Sequence, residues 1–256
     1  MSSLLRRLSA QSSASTKPNQ PVQLYLIRLL PTCRIVWLYL AQHKIPYTLI
    51  DIKPSSDEGT RGHNNDTDED FSEETKLSDL PQHCPHRQVP ILVDGDITVF
   101  EAPAILRYLS SRYTNYAGYG ATLATRMMTE SLISWINSEL YRLVSHQITL
   151  PQVFKDCMLP SVSANELMVE HGIKRITREL ESLQRRHLNG HKYLGCRDER
   201  SVADSFAVTV LLQLQWVGFS FELWPKVCHW LDDVTKQEFW EDVHTAHALF
   251  VEEMAE

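Results

Sequence analysis

A thiol, a hydroxyl and an apolar side chain stand together in the stretch LYLIRLLPTCRIVW, residues 24–37. The stretch is typical of a buried strand that leads into a helix, and Leu30, Thr32 and Cys33 fall at the turn between them. Backbone N–H groups at the start of a helix favour anions. The corner could therefore stabilise a bound anion, with the Thr32 hydroxyl as a hydrogen-bond donor or the Cys33 thiol as a reactive group.

The elements that must position this corner form an α/β pattern. They are predicted, in order, as strand 22–28, helix 32–43, strand 46–51, strands 90–93 and 97–100, and helix 101–112. The Asp94-Gly95-Asp96 turn between the third and fourth strands is a hairpin signal. The order predicts a small sheet with a crossover connection between its first two strands.

The second half of the chain has a different pattern. From about residue 121 onward, helical periodicity recurs at 123–145, 164–187 and 202–217 without a credible strand between these segments. Ser201 and Asp204 are spaced as a helix capping box before an apolar run. The sequence therefore predicts an all-α domain at 121–256 after an α/β domain at 22–113.

Composition and charge exclude several classes of partner. The 256 residues include 25 basic and 32 acidic side chains, a net charge of −7, which argues against nucleic acid or an anionic membrane as the main partner. No stretch approaches the roughly 20 apolar residues that a membrane-spanning helix requires. The five cysteines are an odd number without a Cys-x-x-Cys pair, so we expect no disulfide framework, no zinc site and a reducing, cytoplasmic compartment.

The first 21 residues form a tail with two interpretations. The tail lacks acidic residues, is rich in serine and carries Arg6, Arg7 and Lys17, which are features of mitochondrial transit peptides. A disordered cytosolic tail has the same composition. The sequence leaves a cytoplasmic location and a mitochondrial alternative open.

Residues 53–83 form an acid-rich segment that interrupts the α/β pattern. We predict a flexible insertion, because acidic residues dominate it and apolar residues are few. Asp66, Asp68 and Asp70 imitate the start of a calcium loop, but the central glycine and the closing glutamate of such a loop are missing. His83, Cys84 and His86 have no second ligand cluster, so no metal site is predicted.

The order of PTCR, QVPILVDGD, EAPAILRYLSSRY and SVADSFAV resembles the soluble glutathione transferases, and the theta class in particular. The resemblance extends from Gln23 to roughly Phe250. It implies a thioredoxin-like N-terminal domain that binds glutathione as co-substrate, and an all-α domain that completes a pocket for a small electrophile. It also implies a homodimer with a role in detoxification.

The resemblance assigns roles to five residues of the N-terminal domain. Val89 and Pro90 would form the cis-proline loop, in which the backbone of Val89 pairs with the cysteinyl part of glutathione. Glu101 would receive the amino group of the γ-glutamyl moiety, and the N–H of Ala102 would face its carboxylate. Gln88 is a further candidate for contact with the peptide.

Departures from the family pattern fall on the pocket. The theta pattern has a serine where this chain has Leu30, and that hydroxyl donates a hydrogen bond to the glutathione sulfur. A second expected serine is Ala102, and Pro103 removes a further N–H group. We therefore expect a weak transferase.

Three interpretations of the altered corner remain open. Thr32 could replace the missing donor, with positive potential from the helix start and Arg34. Cys33 could instead form a mixed disulfide with glutathione, although free cysteines are most often small buried apolar residues. The chain could also be a catalytically inactive binding or scaffold protein with the same fold.

Overall fold

The computed structural model describes residues 20–52, 88–196 and 198–255. The N-terminal domain has the predicted order of elements: β1 (Val22–Leu26), α1 (Pro31–Gln42), β2 (Tyr47–Asp51), β3 (Ile91–Asp94), β4 (Ile97–Phe100) and α2 (Ala102–Tyr113). The strands form one sheet in the order β2-β1-β3-β4. The first pair is parallel and the other two pairs are antiparallel, which confirms the thioredoxin-like arrangement.

Alternation of side chains along β1 explains how the sheet and α1 pack. Val22, Leu24 and Leu26 are buried, whereas Gln23 between them is exposed, because successive side chains of a strand point to opposite faces. Helix α1 is buried from Pro31 through Ala41, since it packs against α2 in its own domain and against helices of the second domain. The start of α1 therefore lies where the two domains meet.

The hairpin between β3 and β4 has the turn that the sequence predicts. Gly95 has φ +59°, a left-handed conformation that glycine adopts without a steric penalty. The Asp94 carboxylate accepts a hydrogen bond of 2.6 Å from the Tyr108 hydroxyl. This bond joins the hairpin to α2 and so helps to orient the start of that helix.

Helices are the regular secondary structure of the described residues in the second half, as predicted. Its α-helices are α3 (Leu123–Trp135), α4 (Leu150–Val153), α5 (Val162–Ser182), α6 (Val202–Leu211), α7 (Pro225–Thr235) and α8 (Trp240–Ala255). Wider π-helical turns at Ile136–Leu140 and Arg142–Thr149 join α3 to α4, so the helix predicted at 123–145 continues to residue 153. Helices α7 and α8 were not singled out by the sequence analysis.

The predicted capping box at the start of α6 is present. The Asp204 carboxylate accepts hydrogen bonds from the backbone N–H and the hydroxyl of Ser201, at 2.9 and 2.6 Å. It also accepts from the Leu194 N–H at 2.7 Å and from the Trp230 indole N–H at 2.9 Å. One buried carboxylate thus connects the start of α6 to the preceding loop and to α7.

Several predictions fall outside the described residues. These are nearly all of the tail, the acidic insertion with its calcium-like aspartates, and His83, Cys84 and His86. Within the described ranges, no group of three or more His, Cys, Asp and Glu side chains is arranged to hold a metal ion. No helix in those ranges is long and apolar enough to cross a membrane.

Candidate functional site

A cleft of about 520 Å³ lies between the two domains. Its N-terminal wall contains Ile27, Leu30, Thr32, Gln88, Val89, Pro90, Glu101 and Ala102. Its helical wall contains Asn137, Ser138, Tyr141, Arg142, His146 and Leu150. The structure therefore brings together all the predicted site residues except Cys33.

The Val89-Pro90 peptide bond is cis and lies at the entrance to β3. Pro90 is buried, while Val89 is half-buried and lines the cleft. Among the residues that the structure describes, Val89 makes no backbone hydrogen bond. Its N–H and C=O are thus suited to pair with an extended peptide, in the manner of strand addition.

Glu101 has a backbone conformation that is rare for its residue type. Its φ of +68° and ψ of 121° lie outside the regions that L-residues prefer, at a typical cost of about 1–3 kcal/mol. The Glu101 carbonyl accepts the Ile105 N–H at 2.9 Å, but its side chain makes no capping hydrogen bond to α2. The exposed carboxylate stands at the cleft instead of closing its own helix.

The start of α2 faces the same cleft with backbone donors. Ala102 is the first residue of the helix and is 1% exposed, and Pro103 follows it without an N–H group. The N–H groups of Ala102 and Ala104 belong to the first turn, where helices lack internal acceptors. A carboxylate next to the Ala102 N–H would be favoured by the helix dipole as well.

The start of α1 places an apolar side chain where a hydroxyl was expected. Leu30 precedes the helix without a side-chain cap, and its carbonyl accepts the N–H groups of Cys33 and Arg34, both at 3.0 Å. Leu30 is half-buried and lines the cleft. Thr32, two residues further along the chain, is 8% exposed and also lines the cleft.

The helical wall comes from the wide turns between α3 and α4. In this segment Tyr141 and His146, five residues apart, both line the cleft, and their rings meet edge to face at 5.5 Å between centroids. π-Helical turns of this kind are frequent at functional sites. The sequence did not predict this wall, because helical periodicity alone does not show which face of a helix meets the other domain.

Tyr141 lines the same cleft as the predicted donor Thr32. Burial raises the pKa of Tyr141 to about 12. The hydroxyls of Thr32 and Ser145 oppose that rise in pKa. Ser145 also donates to the Gln213 amide oxygen at 2.5 Å.

Comparisons with known proteins show which family these features resemble. Residues 31–112 match the family model for the glutathione S-transferase N-terminal domain. Glutathione S-transferase theta-1 of Homo sapiens is 27% identical and aligns over 82% of this chain and 80% of its own length. The theta-1 enzyme of Gallus gallus is 26% identical, over 82% and 81%. The chain is theta-like and has the glutathione transferase fold.

A solved structure supports the fold assignment across both domains. The apo form of human glutathione S-transferase T1-1 superimposes with a TM-score of 0.68 at 23% sequence identity. The match covers 92% of this chain and 91% of the other. The theta-like chain thus shares the two-domain architecture and not only the N-terminal domain.

Cys33 does not have the environment that a reactive cysteine of a transferase corner would need. Its side chain is 0% exposed and lies outside the cleft lining. Burial raises the pKa of Cys33 to about 12, opposite to the direction expected from its place in the first helical turn. The structure therefore does not favour Cys33 as a nucleophile, and agrees with the alternative of a small buried apolar residue.

Arg34 is buried more deeply than the sequence suggested. It is 0% exposed, and none of its three guanidinium nitrogens has a hydrogen-bond partner among the described residues. Burial lowers the pKa of Arg34 to about 9, while interactions with Cys33 and Tyr141 oppose that change. At neutral pH the side chain is still a cation, so this theta-like chain holds an unneutralised positive charge close to the Tyr141 side of its cleft.

Proposed function

We propose that this protein is a theta-like glutathione transferase that conjugates glutathione to small electrophiles, with weak activity because Leu30 replaces a hydroxyl donor. One observation carries the proposal. The cis Val89-Pro90 loop, the strained Glu101 and the start of α2 surround one cleft, and together they match the chemistry of the peptide. The matches to theta-class enzymes support the same activity.

The proposed binding mode uses one group of the protein for each part of glutathione. The backbone of Val89 pairs with the extended cysteinyl part. The carboxylate of Glu101 receives the γ-glutamyl amino group, and the Ala102 N–H faces the neighbouring carboxylate. Gln88, which is exposed at the mouth of the cleft, contacts the peptide from the side.

The proposed weak transferase activity follows from the free energy of one missing hydrogen bond. A hydrogen bond to a charged group contributes roughly 1.5–3 kcal/mol, or about one to two pKa units on a bound thiol. Leu30 has no donor, so glutathione in this cleft relies on the remaining hydroxyls. We propose Thr32 as the substitute donor of the N-terminal wall, because it is the hydroxyl nearest to the start of α1.

Calorimetry on the full chain tests the binding part of the proposal. Glutathione should bind, and Glu101→Ala should weaken binding by about 1–3 kcal/mol, the scale of a lost charge-assisted partner. Glu166→Ala, an exposed acid on α5 outside the cleft lining, is the matched control and should bind like the wild type. Unchanged affinity in Glu101→Ala would remove Glu101 from the site.

Turnover of a generic electrophile tests the chemical part. Leu30→Ser should lower the pKa of bound glutathione by about one to two units and raise turnover at neutral pH. Leu150→Ser adds the same hydroxyl to the opposite wall and should not reproduce the effect. Both variants are compared as folded protein, because removing apolar side chains also lowers stability.

A second candidate is a non-enzymatic binding or scaffold protein. Leu30 and Ala102 both stand where the family has hydroxyl groups, and this loss favours binding without catalysis. Retention on immobilised glutathione with no turnover of an electrophile or of a mixed disulfide would select this candidate. Measurable conjugation would exclude it.

The cellular context is part of the same proposal. A homodimer acting in detoxification follows from the family resemblance, and sedimentation equilibrium would establish the oligomeric state. The described cysteines, Cys33, Cys157, Cys196 and Cys228, are free thiols, which supports a reducing compartment. Fractionation of cells expressing the full chain would distinguish the cytoplasm from the mitochondrial alternative.

A further inference from the structure

A second cavity, of about 180 Å³, lies between the later part of α1 and the start of α6. Its polar lining includes Tyr39, Gln42 and His43 of α1, and Arg200 and Ser205 at the start of α6. It shares no lining residue with the cleft, and within the described part of the chain its lining contains no carboxylate. We call this separate space the α1–α6 cavity.

The carboxamide of Gln237, between α7 and α8, lies against the α1–α6 cavity. Its Oε1 accepts hydrogen bonds from Gln42 Nε2 at 2.5 Å and from Ser205 Oγ at 3.1 Å, and both of these donors belong to lining residues. Gln237 is 6% exposed, and its Nε2 has no hydrogen-bond partner among the described residues. Buried donors are almost always satisfied in folded proteins. This donor therefore indicates an acceptor that the described residues do not supply.

Two further groups of the lining can meet the same acceptor. Arg200 is exposed and makes no hydrogen bond or ion pair with the rest of the described chain, and its charge interacts with Asp233 at longer range. His43 is half-buried, and its ring packs against that of Tyr39 at 4.3 Å between centroids. The Tyr39 hydroxyl donates to the Ala117 carbonyl at 3.1 Å, so its proton is already used. A guanidinium and an imidazole therefore remain available.

These groups are donors, and one of them is a cation, so they select a ligand with acceptor oxygens and negative charge. We propose that the α1–α6 cavity binds a compact oxyanion, namely a phosphate or carboxylate group, with Arg200 as its charge partner and Gln237 Nε2 as its buried donor. The volume is below the roughly 300–1,000 Å³ of sites for drug-sized molecules, which limits the ligand to a small group. The planar guanidinium matches the geometry of both oxyanions. This site does not depend on the proposed transferase function.

Thermal unfolding of the full chain in inorganic phosphate or in acetate tests the proposal, with chloride added to keep the ionic strength constant. The unfolding temperature of the wild type should rise with the concentration of the oxyanion and then saturate, because a ligand that binds only the folded state stabilises it. Arg200→Gln should lose most of this rise. Lys155→Gln removes the same charge from an exposed residue outside the cavity and should behave like the wild type.

A second variant tests the buried donor. Gln237→Glu keeps an acceptor for Gln42 and Ser205 but replaces the Nε2 donor with a second carboxylate oxygen, which repels an oxyanion. The rise in unfolding temperature should therefore disappear although Arg200 is present. Glutathione affinity should be the same in the wild type and in all three variants, since the two cavities share no lining residue.

Two outcomes would overturn the proposal. An equal rise in the wild type and in Arg200→Gln would assign the oxyanion to another place, such as the start of α2. No rise in the wild type with either oxyanion would show that the cavity holds water only. A saturable rise that both cavity variants lose supports the site, and the oxyanion that acts at the lower concentration identifies the group that it takes. Failure to bind glutathione would refute the proposed function and leave this inference intact.

Discussion

Two charged side chains of the interior, Asp204 at the start of α6 and Arg34 in α1, have opposite surroundings. Both are 0% exposed. The Asp204 carboxylate accepts four hydrogen bonds, from Ser201, Leu194 and Trp230. The Arg34 guanidinium has no hydrogen-bond partner among the described residues. The Asp204 carboxylate connects three parts of the helical domain, whereas burial of the unpaired Arg34 guanidinium costs free energy.

The difference separates a charge that builds the fold from a buried charge that interacts with a residue of the cleft wall. Asp204 owes half of its bonds to the Ser201 residue of its own capping box, so local sequence already secures them. Arg34 interacts electrostatically with Tyr141 of the cleft wall and with His244 and His247 of α8. Burying a charged group without hydrogen-bond partners costs free energy, and the Arg34 guanidinium is buried in this way.

Removing Asp204 should give the largest effect on stability. Asp204→Ala leaves buried N–H donors of Leu194 and Trp230 without an acceptor, and each such donor costs about 1–3 kcal/mol. We expect a loss of about 3–5 kcal/mol in the free energy of unfolding, measured by urea denaturation. Asp232→Ala, an exposed acid on α7, should change stability by less than about 0.5 kcal/mol. A similar, small change in both variants would contradict the role given to Asp204.

Low pH should lower the stability of the fold, because two buried histidines of α8 lie near Arg34. Burial and the charge of Arg34 lower the pKa of His244 to about 2 and that of His247 to about 3. The unfolded chain therefore binds more protons below about pH 6.5, so stability is complete above that pH and falls as the pH decreases toward 3. Each histidine contributes a slope of up to about 1.4 kcal/mol per pH unit.

The histidine variants check this pH dependence. The Trp216 indole donates to His247 Nδ1 at 3.0 Å, which requires that nitrogen to be unprotonated in the folded state. His244→Gln and His247→Gln should each flatten the slope of stability between pH 6.5 and 4, and the double variant should flatten it most. An unaltered slope in the double variant would assign the acid sensitivity to other groups.

Replacing Arg34 by an apolar side chain should stabilise the fold. Arg34→Met keeps much of the side-chain volume and removes a buried, unpaired cation, so we expect a gain of about 1–3 kcal/mol in the free energy of unfolding. The same variant should raise the pKa of bound glutathione, because the positive potential that Arg34 contributes at the start of α1 is lost. A less stable Arg34→Met protein would show that the guanidinium has a partner outside the described residues or in solvent.

The smallest effect on stability is expected at Ser201, the partner of Asp204 in the capping box. Ser201→Ala removes the hydroxyl that caps α6 but leaves the bonds from Leu194 and Trp230, so we expect a loss of about 1 kcal/mol. The unfolding temperatures of the wild type, Ser201→Ala and Asp204→Ala provide the comparison. If Ser201→Ala were as damaging as Asp204→Ala, the cap rather than the long-range bonds would hold the network together.

Much of the fold could be predicted from the sequence, because the informative patterns are local. Alternation in β1, the Asp94-Gly95 turn and the Ser201-Asp204 spacing each report the backbone within a few residues, and the structure has all three. The family resemblance added the cis Val89-Pro90 bond, which is present. The sequence and the resemblance together therefore predict the residues of the N-terminal wall that line the cleft.

The helical wall, the burial of Cys33 and the isolation of Arg34 were decided only by the tertiary structure. The position of Cys33 in the first turn of α1 left an activated thiol open as an alternative, but packing of the helical domain over α1 buries Cys33 and raises its pKa. The same packing places Tyr141 at the cleft, between two π-helical segments that are wider than an α-helix. Desolvation and cross-domain contacts depend on which faces meet, and no local pattern of residues contains that information.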